Sequence, residues 1–480
     1  MPNVITNLLD IKDDDLIVKA LPSPENIQIY QVERKAAAQF CPICNYRMHS
    51  KGTYTRTVNH PIKQGGIQVI LKVKQRRWQC TNPECRHYEV EEFNFISKYK
   101  RNTNYADILI VNAFRDFSKT AAQIAREYHV SDTYALQTFD RYVDMKRGKL
   151  TPAICIDEVH LNISSRNRYA LIIQDFVTGE PIDMVVSRRE DITLPYFVNI
   201  PKHERMLVKY VITDMYKPYL NYIDKYFYNA IPIVDSFHVV SQINQHLLRY
   251  IRALQRNYKE RDIRRKLQME NERHEHIRLK TSKEVHLLRD CRWIILANQK
   301  DIRYWSKPTF DGYFNCRMYV ADYERELFKL DVDLKYLRDL KEKYIEFNDK
   351  YAGRSDDARP ALNALISLYK TCPYEMFNTI GLMLEEYKEP ILNSFNMLQK
   401  INKKGDPYLS RLSNGPIESL NRAPKDMKRN ARGYKNFDHI RNRFLFAKRK
   451  DAPILAFPKD AKEIKYATLK KRGPYRKYKK

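Results

Sequence analysis

No apolar run in the 480-residue sequence approaches the ~18 residues that spanning a bilayer requires, so no membrane partner is expected. The opening stretch MPNVITNLLDIKDDDLIVKA has neither a basic start nor an apolar core, and does not read as a secretory signal. Cysteine is scarce: the eight present are too few for a disulfide scaffold and are unevenly spread. Cys155, Cys291, Cys316 and Cys372 stand alone, and the other four fall between positions 41 and 85. A reducing compartment, the cytoplasm, is the expectation. Acid is also in short supply, 58 Asp and Glu against 86 Lys and Arg, a formal charge of +28. Such an excess draws polyanions and favours nucleic-acid binding. An anionic membrane would attract it too, but only with an apolar helix face or a lipid anchor beside the charge, and the sequence offers neither.

The length predicts two to four domains. Residues 1–40 read as a mixed N-terminal arm with one strand-like piece, IQIYQVE. Over 41–95, the pairs Cys41-x2-Cys44 and Cys80-x4-Cys85 flank the alternating run IQVILKVKQRRWQC. Two cysteine pairs on tight turns joined by strands predict a zinc ribbon, with four thiolates as structural Zn2+ ligands; His49 and His87 are bystanders. Free thiols are the plainer alternative. Across 96–148, Ile124 and Tyr128 continue one helical face, HVSDT supplies a turn and a cap, and a second helix begins after Asp132. This is the pattern of a helix-turn-helix whose second helix reads DNA, although two short packed helices would look the same.

From 150 to 243 the pattern changes to short apolar runs: AICIDEVHLN, RYALIIQDF and PIDMVVS, then strand–helix units in YVITDMYKPYL and IPIVDSFHVV. These predict an α/β sheet of about five strands. Residues 244–405 become helical and charged, an inserted all-α region in which Trp293 and Trp305 are expected to pack in the core, with stacking on an unpaired base as the alternative. Residues 406–450 resume the sheet domain, and 451–480 form a basic tail that carries eight Lys or Arg in its last sixteen positions.

Three aspartates share one setting. Asp157 ends AICID, Asp214 ends YVITD and Asp235 ends IPIVD. Active sites of open α/β sheets form at the carboxyl ends of strands, and carboxylates there suit Mg2+ or Mn2+. As turn and cap residues they would be equally at home, and Glu158 competes with Asp157. Arg411–Phe437 contains seven Lys or Arg and two acids, one of them Glu418, just behind an Asn-Gly-Pro break. Pro416 suits the first position of a helix, and a carboxylate in its first turn is favoured by the helix dipole. Asn421, Arg422 and Lys425 follow on the same face, at spacings of three, four and seven, as phosphate-binding groups; Lys428, Arg429 and Arg432 extend the basic set.

The ribbon CPIC…CTNPEC, the strand ends CIDEVHLN, VITDMYKPYL and IVDSFHVV, and above all SNGPIESLNRAPKDMKRNARGYKNF resemble the ISL-three family of bacterial insertion-sequence DDE transposases, from Cys41 to about Lys450. The resemblance implies an RNase H-like catalytic core interrupted by the insertion. It implies Asp157, Asp214 and Glu418 as the catalytic, metal-binding acids, and Asp235 and His238 as a secondary element. It further implies strand cleavage and strand transfer, terminal inverted repeats and target DNA as double-stranded DNA partners, a homodimer or higher homo-oligomer, and a nucleoid-associated place in a bacterial cytoplasm. A noncatalytic DNA-binding regulator built on the same ribbon and helix-turn-helix is the alternative.

Overall fold

The computed structural model describes residues 9–464 apart from 10, 12, 62–66, 274–275, 277, 279–280, 403, 432–433 and 461–462. Arg432 and tail residues 465–480 therefore lie outside the described residues.

Five strands form the N-terminal sheet: β1 (Leu16–Leu21), β2 (Ile27–Arg34), β3 (Met48–Asn59), β4 (Gln68–Cys80) and β5 (Tyr88–Val90). Their order is β1-β2-β4-β3, with β5 added to β4. Alternation along β4 sends Val69, Leu71 and Val73 inward, where they meet Val18, Val32 and Val58. The expectation of a separate arm over 1–40 is corrected here. β2 pairs in parallel with β4, Ile27 opposite Gln68, so the arm completes the sheet that carries the cysteines. A pairing between segments about forty residues apart leaves no mark on local pattern.

Three helices follow, α1 (Asn104–Ala113), α2 (Ala121–Glu127) and α3 (Asp132–Tyr142). Thr120 and Gln123 cap α2 reciprocally, and the Ser131 hydroxyl accepts from the Tyr134 amide to cap α3. Ile110, Phe114, Ile124, Ala135 and Phe139 do not close a core of their own. They join a larger one with the central sheet.

That sheet comprises β6 (Ala153–His160), β7 (Tyr169–Asp175), β8 (Pro181–Val185), β9 (Tyr210–Thr213) and β10 (Ile231–Val234), in the order β10-β9-β6-β7-β8. The first three form an antiparallel meander, and β9 and β10 run parallel to β6. α4 (Glu190–Val198) and α5 (Lys202–Met206) connect β8 to β9, and α6 (Lys217–Tyr226) connects β9 to β10. Both faces are covered, so the strands are buried almost throughout. Ala153, Cys155 and Val159 face the core shared with α1–α3; Ile154 and Ile156 face Phe197, Tyr219 and Tyr222 from α4 and α6.

α7 (Ser236–Arg273) is a single helix of 38 residues. It crosses the 243/244 boundary expected between sheet and insertion, because Ile243, Leu247 and Ile251 continue one buried face without a break. The insertion continues with α8 (Lys283–Asp290), α9 (Trp293–Leu296), strands β11 (Thr309–Asp311) and β12 (Cys316–Met318), then α10 (Val320–Leu330), α11 (Val332–Lys350), α12 (Ser355–Thr371), α13 (Glu375–Glu386) and α14 (Lys388–Asn393). It is not all-α. β11 pairs with β12, and a second hairpin joins β13 (Met397–Ile401) to β14 (Pro407–Arg411). Each is a two-stranded ribbon of three to five residues per strand, too short for alternation to register. Trp305 is 80% exposed and Trp293 46%, which overturns core packing for Trp305 above all.

The chain returns to the central sheet as α15 (Gly415–Leu420), α16 (Arg422–Asn430) and α17 (Phe437–Lys448). The helix expected after Pro416 is interrupted for one residue at Asn421, which keeps a helical φ of −61° and ψ of −16°. Pro424 has no N–H to give the Leu420 carbonyl, and its ring crowds that turn.

Candidate active site

Strand register carries the three strand-end aspartates to one level. Ala153, Tyr210 and Ile231 lie side by side on β6, β9 and β10, and four residues further along each strand stand Asp157, Asp214 and Asp235. Side chains recur on one face every second residue, so Asp157 shares the face of Ala153 and Cys155. This is the face against which α15 and α16 pack: Ile417, Leu420 and Ala423 lie in the same core as Cys155. Glu158 points the other way. Its carboxylate accepts two hydrogen bonds from Arg188, at 2.6 and 2.5 Å, and one from the Tyr219 hydroxyl at 3.1 Å. Glu158 is therefore engaged on the α6 side, away from the face that Asp157 shares with Cys155.

Asp157 is buried. Its Oδ1 accepts from the Glu158 amide at 2.7 Å and its Oδ2 from Asn421 Nδ2 at 2.7 Å. Burial pushes its carboxyl up to about 6, with the Asp214 charge adding to the rise and the Glu158 amide and His238 opposing it. Asp214 accepts from the Tyr216 amide at 3.0 Å and is likewise raised, chiefly by burial. Glu418, in the first turn of α15, is raised by burial with Asp235 adding to it; His238 and Arg422 oppose the rise. His238 lies 4.0 Å from Glu418 Oε1 and acts electrostatically on all three acids.

Asp235 is turned to a different task. Its Oδ1 accepts from the Phe237 amide at 3.0 Å, capping α7, and its Oδ2 accepts from the Asn414 amide at 2.7 Å. His238 Nε2 lies 3.4 Å from Asn414 Nδ2. The start of α7 thus grips the Asn-Gly-Pro turn and sets where Glu418 enters. The structure brings together Asp157, Asp214, Glu418 and His238, with Asp235 beneath them. They remain more open than a closed ligand cluster: among the described residues, the group whose ligand atoms all lie within 4.8 Å is a set of four cysteines.

The sequence places Asn421 among exposed phosphate-binding groups, and this is corrected. It is 5% exposed, and its Nδ2 is committed to Asp157, because it falls one helical turn after Ile417 on the buried stripe that continues through Pro424 and Met427. Its only mark in the sequence is the spacing of three from Glu418. Asn414 has no such mark, since its role depends on contact with Asp235, 179 residues earlier. Arg422 and Lys425 are exposed as expected. Lys428 donates to the Asn162 carbonyl at 2.9 Å, and Arg429 pairs with Asp426 at 2.8 Å.

The four cysteine sulfurs lie together, all within 4.8 Å of one another. Cys41 and Cys85 sulfurs are 3.7 Å apart, and Cys44 and Cys80 sulfurs 3.4 Å. Four thiolates at ~2.3 Å around a tetrahedral Zn2+ stand about 3.8 Å from one another, and a disulfide would need ~2.05 Å. Asn45 and Arg86, each directly after the second cysteine of its pair, take left-handed φ of 57° and 48° and so turn both loops back. A backbone hydrogen bond near Tyr46 lowers the Cys44 thiol to about 7, whereas burial pushes Cys80 up to about 12.

Among the described residues no helix is long and apolar enough to cross a membrane. No curated protein matches the sequence. A transposase family model, that of the ISL-three DDE transposases, matches residues 154–444, which is 291 of the 480 residues and spans β6 to α17. The chain belongs to the ISL-three transposase family.

Proposed function

We propose that the chain is the transposase of an insertion sequence, binding the element's terminal inverted repeats and cutting and joining DNA with Asp157, Asp214 and Glu418. One observation carries this reading: strand register sets Asp157 and Asp214 side by side, and the Asn421–Asp157 hydrogen bond ties the helix pair bearing Glu418 to the same strand end. The strand order β10-β9-β6-β7-β8, a three-stranded meander followed by two parallel strands on its inner edge, supports an RNase H-like core over 150–243 and 406–450.

The donor set suits Mg2+ or Mn2+, being all oxygen, with three carboxyls that burial raises and a cation would draw back down. When bound, the ions supply activation of an attacking oxygen and stabilisation of a leaving one. The chain's own residues do the rest. Asn421 orients Asp157; Asp235 and His238 hold the turn that presents Glu418; exposed Arg422 and Lys425 take phosphates beside the reacting one. Hydrolysis breaks one P–O3′ bond, water supplying the new P–O bond and the proton of the freed 3′-hydroxyl. That hydroxyl then attacks a target phosphodiester and releases another 3′-hydroxyl. One bond forms for each broken, so no external energy source enters.

The Cys41, Cys44, Cys80 and Cys85 set is read as a structural zinc ribbon, and α2–α3 as a helix-turn-helix; both serve recognition of the inverted repeats. Joining two ends calls for a homodimer or larger assembly. The test is cleavage and joining on a plasmid carrying the DNA that flanks the gene, with Mg2+ or Mn2+, for wild type and Glu418→Gln. Metal-dependent nicking and joining, lost in the variant, is expected. Specific binding without cleavage, equal in both proteins, would instead make the chain a noncatalytic regulator.

A further inference from the structure

Helix α7 leaves the site at Asp235 and runs outward for 38 residues. Its inner face is apolar: Ile243, Leu247 and Ile251 are buried in the insertion's cores. Its outer face carries Arg249, Arg252, Arg256 and Lys259, all exposed. Their spacings of three, four and three keep them within an arc of about 80° at ~100° per residue. None of the four has an ion-pair partner among the described residues, in contrast to Arg261 and Arg264 just beyond, which pair with Glu284 and Glu260. From Ser236 to Lys259 the helix contains no acid at all.

The direction of the stripe is informative. His238 precedes Arg249 by eleven residues and so lies only about 20° from it around the axis. The face of α7 that looks onto Glu418 at its start therefore becomes, three turns later, the face that carries the cations. Polar Gln242 and Gln245 bridge the interval. A cationic track, unpaired among the described residues, that begins beside the proposed phosphodiester-cutting site and contains no acid matches a polyanion laid along it.

We propose that Arg249, Arg252, Arg256 and Lys259 form a second DNA-binding track that holds the phosphate backbone of the duplex extending from the cleavage point. This rests on the DNA reading of the preceding section. At ~1.5 Å per residue the four cations lie about 21 to 36 Å from Asp235, which at ~3.4 Å per base pair places them some six to eleven base pairs from the reacting phosphate. The contacts are to backbone, so they add affinity and fix direction without reading sequence.

The test compares full-length wild type, R252A/R256A, the charge-conserving R252K/R256K and the off-stripe R264A. Binding to a duplex from the DNA flanking the gene is titrated against salt, and the complex is footprinted with hydroxyl radicals. Removing two phosphate contacts should flatten the slope of log Kobs against log salt by about 1.8, and should erase protection about six to eleven base pairs from the cut while leaving protection nearer the cut. R252K/R256K and R264A should match wild type, and on a duplex ending short of the track the double alanine variant should match it too. An unchanged slope and footprint in R252A/R256A would overturn the track. So would a change in oligomeric state alone, which would assign the stripe to an acidic surface of a second copy. The salt slope needs no cleavage, so it reads the track even if the chain joins no strands; a wild type that binds no DNA would sink both readings together.

Discussion

Replacing Asp157 with asparagine should make the metal-free protein more stable while abolishing its chemistry. The carboxyl is buried and pushed from 3.8 to about 6. In the unfolded chain it loses its proton near 3.8, so between these values the folded state binds more protons than the unfolded one. Stability therefore falls as pH rises through that window and stays at the lower level above pH ~6. A shift of roughly two units corresponds to about 3 kcal/mol against the folded state at neutral pH. The introduced amide would keep the Glu158 amide contact through its oxygen. Toward Asn421 it would present an N–H, which the Asn421 Oδ1, buried and without a partner among the described residues, can accept once that side chain rotates. The assay is thermal unfolding of wild type and Asp157→Asn without divalent cations, at about pH 7.5 and about pH 4. A gain of roughly 5 °C or more is expected at the higher pH for a unit of a few hundred residues, shrinking toward zero at the lower. Added Mn2+ should raise the wild type and leave the variant unmoved, because ligand binding to the folded state alone stabilises it. A variant no more stable than wild type at pH 7.5, or a gain equally large at pH 4, would refute the reasoning.

Asn421→Ala removes a donor to a buried carboxylate, a bond worth about 1.5–3 kcal/mol; cleavage should fall about tenfold to a hundredfold with DNA affinity retained, and lost affinity would show that the residue contacts DNA instead. One zinc per chain should be measured by metal analysis, and Cys41→Ser should lose it together with cooperative unfolding of the β1–β5 sheet; an undiminished zinc content would place the ion elsewhere. Arg422→Ala with Lys425→Ala should flatten the salt slope of binding by about 1.8, while Arg429→Ala, which removes a residue already paired with Asp426, should change it less; equal effects would contradict the pairing seen here.

What the sequence discloses and what it conceals divide along local and distant causes. The strand-end aspartates can be picked out because each closes an apolar run, and the caps at Thr120 and Ser131 because capping chemistry spans three residues. The choice between Asp157 and Glu158 is open in the sequence, since alternation says that they face opposite ways but not which way; Arg188, in the loop after β8, and Tyr219, on α6, engage Glu158 on the far face. Asn421 reads as exposed because it is polar and stands beside Arg422, yet it falls on the same helical stripe as Ile417, Leu420 and Met427, which face the sheet. The parallel pairing of β2 with β4, and the grip of Asp235 on Asn414, join segments whose own patterns hold no trace of the partner. Trp305 shows the reverse error, a large apolar ring expected to be buried and found 80% exposed.

The hydrogen bond from the Asn414 amide to Asp235 has a meaning for the history of the chain. Residues 235 and 414 are the departure and return points of everything inserted between β10 and α15, and they touch. Material spliced between two touching points can lengthen, shorten or change its fold without moving either point, and the entropy of a longer loop rises only with the logarithm of its length. The placement of Glu418 against the sheet is thus indifferent to the length of chain between β10 and α15. Descendants of one ancestor could exchange that segment wholesale and keep Glu418 where it stands, provided that the aspartate and the turn it holds survive the exchange.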